Sequence, residues 1–212
     1  MLEAILTSQS RFSTVPLMPA GRLKEFDRET VLTRAMELFW ERGFESASLA
    51  QLVEHMGIGR QSLYDTFGDK KALYLEALSH YRKERLRPVL QLLGGDGAPL
   101  DRLRSMLELM AEGAKDPTCP GCMLSNGIAE FGAEDPALRD LLGAEIGALD
   151  DAIAACVREA VETGDLPRHH DVRGHARLLL AICQGMPLIG RLGVEDDLID
   201  DIVRGAERSL QP

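Results

Sequence analysis

Aromatic side chains make up only 5% of this 212-residue chain, and no alternation of β-branched residues is sustained anywhere along it. That removes the usual signs of strands and leaves a Leu- and Ala-rich composition suited to helices. No apolar run reaches the ~18 residues needed to cross a bilayer. Four cysteines are too few for a disulfide scaffold and fit a reducing, cytoplasmic setting. The first 20 residues lack the basic start and long apolar stretch of a signal peptide. Residues 1–20 read as a disordered tail, or as an early start with Met18 as the rival start. Excess positive charge is missing too. The net charge of -10 excludes a broadly cationic nucleic-acid surface.

What the sequence does have is a patterned stretch at 43–73, GFESASLAQLVEHMGIGRQSLYDTFGDKKAL. Ser48 with Gln51 three residues on predicts a capping box, which opens the apolar pattern Leu49, Leu52, Val53, Met56. Gly57 offers a left-handed turn, and Ile58 returns to the core. A second short helix is predicted from Gly59 or Arg60 to Phe67, with Leu63 and Phe67 inward. Its outer positions are Arg60, Gln61, Ser62, Tyr64 and Asp65. A cation, an amide, a hydroxyl and a phenol on one short helix suit phosphates and base edges. The plain alternative is a solvated polar face on an ordinary helical hairpin.

The length of the pattern favours the first reading. Residues Gly21 to Leu78 closely resemble the DNA-binding domain of TetR/AcrR-type transcriptional regulators. The resemblance rests on an arm, GRLKEFD (21–27), a first helix ending LFWERGFE (38–45), and SLAQLVEHMGI (48–58). It continues through a recognition helix, RQSLYDTF (60–67), and GDKKALY (68–74). Three positions depart: Gly59 stands where a capping Ser or Asn is common, Val53 replaces a small Ala, and Gln61 replaces a frequent Gly.

The resemblance implies an all-α fold, with a three-helix helix-turn-helix DNA-binding domain at 21–68. A larger helical domain for effector binding and dimerisation would occupy 69–212. It also implies a non-enzymatic regulator, usually a repressor, released from a near-palindromic double-stranded operator by a small-molecule effector. In the family pattern Ser48, Tyr64 and Lys70 contact phosphates, while Arg60, Gln61 and Ser62 face bases. The chemistry agrees, since Arg pairs bidentately with guanine and Gln with adenine, each worth about 1–3 kcal/mol of discrimination. Thr30, near the start of the first helix, offers an amide to a phosphate. Arg22 and Lys24 on the arm reach toward a minor groove, unless the arm is simply disordered.

Charge distribution constrains this reading. Residues 20–85 carry 11 Lys/Arg and 11 Asp/Glu, whereas 86–212 carry 12 against 22. The amino-terminal third is neutral, so binding relies on a few well-placed cations and predicts a moderate salt slope.

Beyond 69 the pattern predicts a long helix running past Tyr81 toward Arg87, kinked or restarted at Pro88. A hinge at GGDGAP (94–99) follows, then helices at about 100–114, 122–132, 137–163, 172–191 and 195–209. The last two carry Leu178, Leu179, Ile182, Met186, Ile189, Leu198, Ile199, Ile202 and Val203, more apolar surface than one hairpin hides. The resemblance implies that they pair with their copies in a homodimer; the alternative is monomer core. It also implies a pocket among the middle helices. Met106, Met110, Met123, Phe131, Cys183 and Met186 are its soft apolar candidates and Asn126 its polar one. No cofactor motif is present. His55, His80, His169, His170 and His175 are too scattered for a metal site, with His169 and His170 reading as a loop pair.

Cys119-Pro-Gly-Cys122 admits four readings. A thioredoxin-type enzyme needs a βαβ setting that this chain lacks. A zinc site needs further ligands at suitable spacing. The third reading is two small residues in a turn. The fourth is a thiol sensor, with Cys122 at a helix amino terminus and Cys119 able to resolve it once oxidised. GCMLSNGIAE (121–130) also resembles a Gly-Cys-Leu-Leu-x-Asn segment of many TetR-type proteins, in one branch of which the cysteine is reactive.

Overall fold

The computed structural model of the protein describes residues 26–131 and 135–211, and every regular element among them is a helix. Arg22, Lys24 and the tail expected at 1–20 lie outside the described residues.

Helix α1 spans Arg28–Arg42 and begins at Asp27, whose carboxylate accepts from the Thr30 N–H at 3.0 Å. Leu32, Ala35, Leu38 and Phe39 are buried as their spacing predicts. They meet Leu73, Ala77 and Leu78 of α4, Lys70–Tyr81. Burying a Leu or Phe side chain fully contributes roughly 1.5–3 kcal/mol, so this pair of helices is the platform of the amino-terminal part.

Helix α2, Leu49–Met56, carries the predicted capping box. The Gln51 N–H donates to Ser48 Oγ at 3.3 Å, and the Ser48 N–H donates to Gln51 Oε1 at 2.9 Å. Such a cap is worth about 1 kcal/mol. Gly57 ends α2 at φ 70°, ψ 26°, a conformation that costs a side chain about 1–2 kcal/mol. Ile58 then turns inward. Helix α3, Arg60–Phe67, anchors through Leu63 and Phe67. The Arg28 guanidinium lies 5.0 Å from the Phe67 ring centroid and pairs with Glu76, tying α1, α3 and α4 together.

The chain stays helical after Tyr81, as predicted, but Arg82–Leu86 open into a π-turn before α5, Arg87–Leu93. Pro88 supplies the reason. It has no N–H for the carbonyl four residues back, and its ring collides there, so one wide turn gives it room. The segment expected as a hinge, 94–99, interrupts the helices between α5 and the next one, and its first residues are held by a side chain. Buried Arg102 donates through Nη1 to the carbonyls of Leu93 at 2.7 Å and Gly95 at 2.9 Å, and through Nη2 to Glu159.

The remaining helices are α6 (Pro99–Lys115), α7 (Met123–Phe131), α8 (Pro136–Thr163), α9 (Val172–Gly190) and α10 (Asp196–Ser209). Helix α8 packs on α5, α6, α7 and α9, while α10 lies over α6 and α9. Met106, Leu107, Ile153, Val157, Leu179, Met186 and Ile199 form the shared core. Leu178, Leu188, Leu192 and Leu198 stay exposed along α9 and α10 and the turn between them, Leu192 to 82%.

Candidate nucleic-acid interface and internal cavity

Helix α3 presents Arg60, Gln61, Tyr64 and Asp65 to solvent, with Ser62 half-buried. The Arg60 guanidinium lies 5.9 Å from the Tyr64 ring centroid. Gln61 Nε2 donates to Asp65 Oδ1 at 2.7 Å, one turn along the helix. Reading adenine bidentately would require Gln61 to release this partner. Gly59 provides no side-chain cap, so α3 starts with backbone alone.

The flanking phosphate candidates are differently committed. Ser48 Oγ accepts within the capping box, and its O–H remains a donor. Lys70 Nζ sits 3.4 Å from the Glu45 carbonyl and 4.4 Å from the Phe44 ring centroid. Thr30 gives both its amide and its hydroxyl to Asp27, so the amide expected to meet a phosphate is already occupied. That bonding also holds the Asp27 carboxyl below its ordinary range.

Helix α7 joins this unit to the rest of the molecule. Trp40 Nε1 donates to the Gly121 carbonyl at 2.8 Å, just before α7. Phe131 at its other end packs in tilted contacts with Phe44 and Tyr74, ring centroids 5.2 and 5.4 Å away. Glu130 accepts from the backbone N–H groups of Phe44 at 2.8 Å and Glu45 at 2.6 Å.

A cavity of about 430 Å³ lies beside this junction. Its wall combines Trp40 of α1 and Tyr81 of α4 with Glu84, Arg85 and Leu86 of the π-turn. Met110 of α6, Cys119, Cys122, and Cys183 and Gln184 of α9 complete the opposite side. Of the expected pocket residues, Met110 and Cys183 are on the wall. Met106, Met123, Asn126, Phe131 and Met186 are not. The three methionines are packed core, almost wholly buried. Asn126 instead donates to the Pro120 carbonyl at 3.1 Å and accepts from Arg191 at 3.1 Å, shaping the Cys119–Cys122 loop. Trp40, Tyr81 and Arg85 were missed by sequence reasoning. Their signal was weak, since Trp40 directly follows an inward position and Arg85 belongs to a turn without a regular period.

The cysteines divide into two pairs. Cys119 and Cys122 are half-buried on the cavity wall, and Tyr81 Oη lies 3.9 Å from Cys122 Sγ. Cys156 and Cys183 are buried, and burial pushes their thiols up to about 11 and about 12. The histidines are spread as expected, with His169 and His170 in the loop between α8 and α9. Buried His80 is satisfied by Thr33 Oγ1 at 2.9 Å. His170 pairs with His175 at 2.9 Å, not with its neighbour His169, and His175 reaches Ser209 Oγ at 3.0 Å. No group of three or more His, Cys, Asp or Glu side chains suited to a metal occurs among the described residues. No helix among the described residues is long and apolar enough to cross a membrane.

A helix-turn-helix with a polar outer helix, joined to a larger helical unit, defines a DNA-binding regulator. Comparison with known proteins makes this specific. Residues 31–77 match the family of bacterial regulatory proteins of the tetR family, and residues 99–206 match the tetracyclin repressor-like carboxy-terminal domain. The chain is 32% identical to the HTH-type transcriptional regulator YezE of Bacillus subtilis, across 86% of this chain and 95% of that protein. It is 29% identical to the transcriptional repressor ComR of Escherichia coli, across 82% and 83%. A cysteine mutant of the TetR-family regulator CifR, solved with 26-bp operator DNA, superposes with a TM-score of 0.80. Identity there is 32%, covering 89% of this chain and 99% of that one. The chain belongs to the TetR family of DNA-binding transcriptional regulators.

Proposed function

We propose that the protein is a cytoplasmic, homodimeric repressor, released from a near-palindromic operator by a small molecule that fills the 430 Å³ cavity. One observation carries this reading. The cavity wall includes Trp40 of α1, the platform on which the recognition unit packs, together with residues of α6 and α9. An occupant touches both parts at once, and a ligand shifts an equilibrium only through such differential contacts. Arg60, Gln61 and Ser62 face bases, while Ser48, Tyr64 and Lys70 face phosphates, with the domain boundary near residue 68. The leucines exposed on α9 and α10 support pairing of two copies, which would set two recognition helices in successive major grooves. Repression is supported by the likeness to ComR, and operator binding by the likeness to CifR.

The test uses the sole tryptophan. An operator duplex is recovered by selection from random DNA, and compounds are screened for a change in Trp40 fluorescence. Compounds that change it should also lower operator affinity. Compounds that fill the cavity while operator affinity stays unchanged sink the reading, and a monomeric mass at micromolar concentration sinks the dimer.

A second reading is favoured by the position of Cys119 and Cys122 on that same wall. A two-electron oxidant converts the Cys122 thiol to a sulfenic acid. The Cys119 thiol then displaces hydroxide, forming a disulfide and water. If the Cys122→Ser protein leaves DNA as the parent does under peroxide, hypochlorite and quinone, this reading is wrong.

A further inference from the structure

The two ends of α7 have different neighbours. Its first turn begins at Cys122, whose carbonyl accepts the Asn126 N–H at 2.9 Å and whose side chain lines the cavity. Its last turn carries Glu130, whose two carboxylate oxygens receive the amides of Phe44 and Glu45. These are charge-assisted bonds to the backbone, roughly twice as strong as neutral ones. They hold the turn that runs directly into Ser48, the cap of α2. Gly43 has φ 81°, and a Cβ there would come within 3.0 Å of Glu130 Oε2. The carboxylate therefore sits flush against bare backbone. Midway along α7, a Cβ on Gly127 would lie 3.0 Å from Tyr74 Oη, so the helix rests closely on α4.

Nine residues at 1.5 Å each make α7 a rod of about 13 Å between the cavity and the helix-turn-helix. We infer that Glu130 is a positioning residue through which the state of the cavity sets the placement of α2 and α3. It touches neither the cavity nor the outer face of α3. Displacing the Cys122 end of α7 shifts the carboxylate, and the backbone of residues 43–45 follows it. The neutral Phe44 and Glu45 amides have no other acceptor among the described residues that would hold the turn in place. The inference rests on the ligand-responsive reading above.

The experiment places a known occupant in the cavity. In a Cys119→Ser background, N-ethylmaleimide is added to the native full-length protein. The Cys122 sulfur bonds to one alkene carbon and the thiol hydrogen ends on the other, with stoichiometry read by mass. Affinity for the selected operator duplex is then compared before and after labelling. Labelling should weaken binding about tenfold or more in the background protein, and no more than about twofold when Glu130→Gln is added. Amide exchange gives a second readout in the unmutated clamp. Phe44 and Glu45 should lose protection on labelling, while Leu63 and Phe67 keep theirs. Unchanged protection at 44–45 overturns the inference even if the Gln variant does not fold. An equal response with Glu130→Gln overturns the inference alone. A fully labelled background protein that binds as before overturns the ligand-responsive reading together with it.

Discussion

Trp40 and Gly121 meet through a 2.8 Å hydrogen bond between the indole N–H and a backbone carbonyl, across 81 residues of sequence. Replacing Trp40 by Phe keeps an aromatic ring but removes the indole donor, leaving the carbonyl of buried Gly121 with only the weak Cys119 thiol donor, 3.8 Å away. The expected cost is about 1–2 kcal/mol. Urea denaturation checks it: the midpoint should fall while the slope stays unchanged.

Gln61 and Lys70 should separate specificity from affinity. Gln61→Ala should relax preference at one base pair, costing about 1–3 kcal/mol of discrimination there. Lys70→Ala should weaken binding to all sequences alike and reduce the salt slope by about one counterion. Binding-site selection and affinity at several salt concentrations distinguish the two. An unchanged sequence preference for the Gln61 variant would remove that residue from the readout.

The thiols should react in two classes. Iodoacetamide on the native protein at neutral pH should modify Cys119 and Cys122 and spare Cys156 and Cys183. The latter pair are buried, with thiols pushed up to about 11 and about 12. Only thiolates attack at useful rates. Intact mass should show two adducts, rising to four only in denaturant.

Acid should loosen the contact between α9 and α10. Burial, then His170, holds the His175 imidazole below its ordinary value of 6.5. The unfolded chain therefore takes up a proton before the folded one does. The contribution is full above about pH 6.5 and is lost as pH falls through the lower folded value. His175→Gln should reduce the drop in urea midpoint between pH 8 and pH 5.5, relative to the parent. An identical drop in both proteins would remove His175 from this dependence.

Much of the fold was legible because the signals were local. Asp27, the Ser48–Gln51 box and Gly57 act within a few residues, and the structure uses each of them as their spacing predicts. The bare start of α3 at Gly59 was visible for the same reason. What escaped depends on distant partners. Glu130 looks like an ordinary surface carboxylate until Phe44 and Glu45 arrive from 86 and 85 residues away. Met106, Met123 and Met186 have the right chemistry for a pocket. Whether such residues face a void or a neighbour is decided by helix rotation, which periodicity gives only coarsely. The break expected at 94–99 is present, but its tie to α6 was not read: the Arg102 guanidinium, seven residues past Gly95, gathers the carbonyls of Gly95 and Leu93.

The π-turn at Arg82–Leu86 makes chain length there a functional quantity. A π-turn holds about one residue more than an α-turn, so deleting one between 83 and 85 would let the segment close to an α-turn with the helix downstream nearly in phase. Val89 and Leu93 would stay in the core, but Pro88 would lose its room and the cavity the wide turn from which Glu84, Arg85 and Leu86 line it. This five-residue segment is a spacer that keeps the DNA-proximal helices and everything that follows in one phase around a proline.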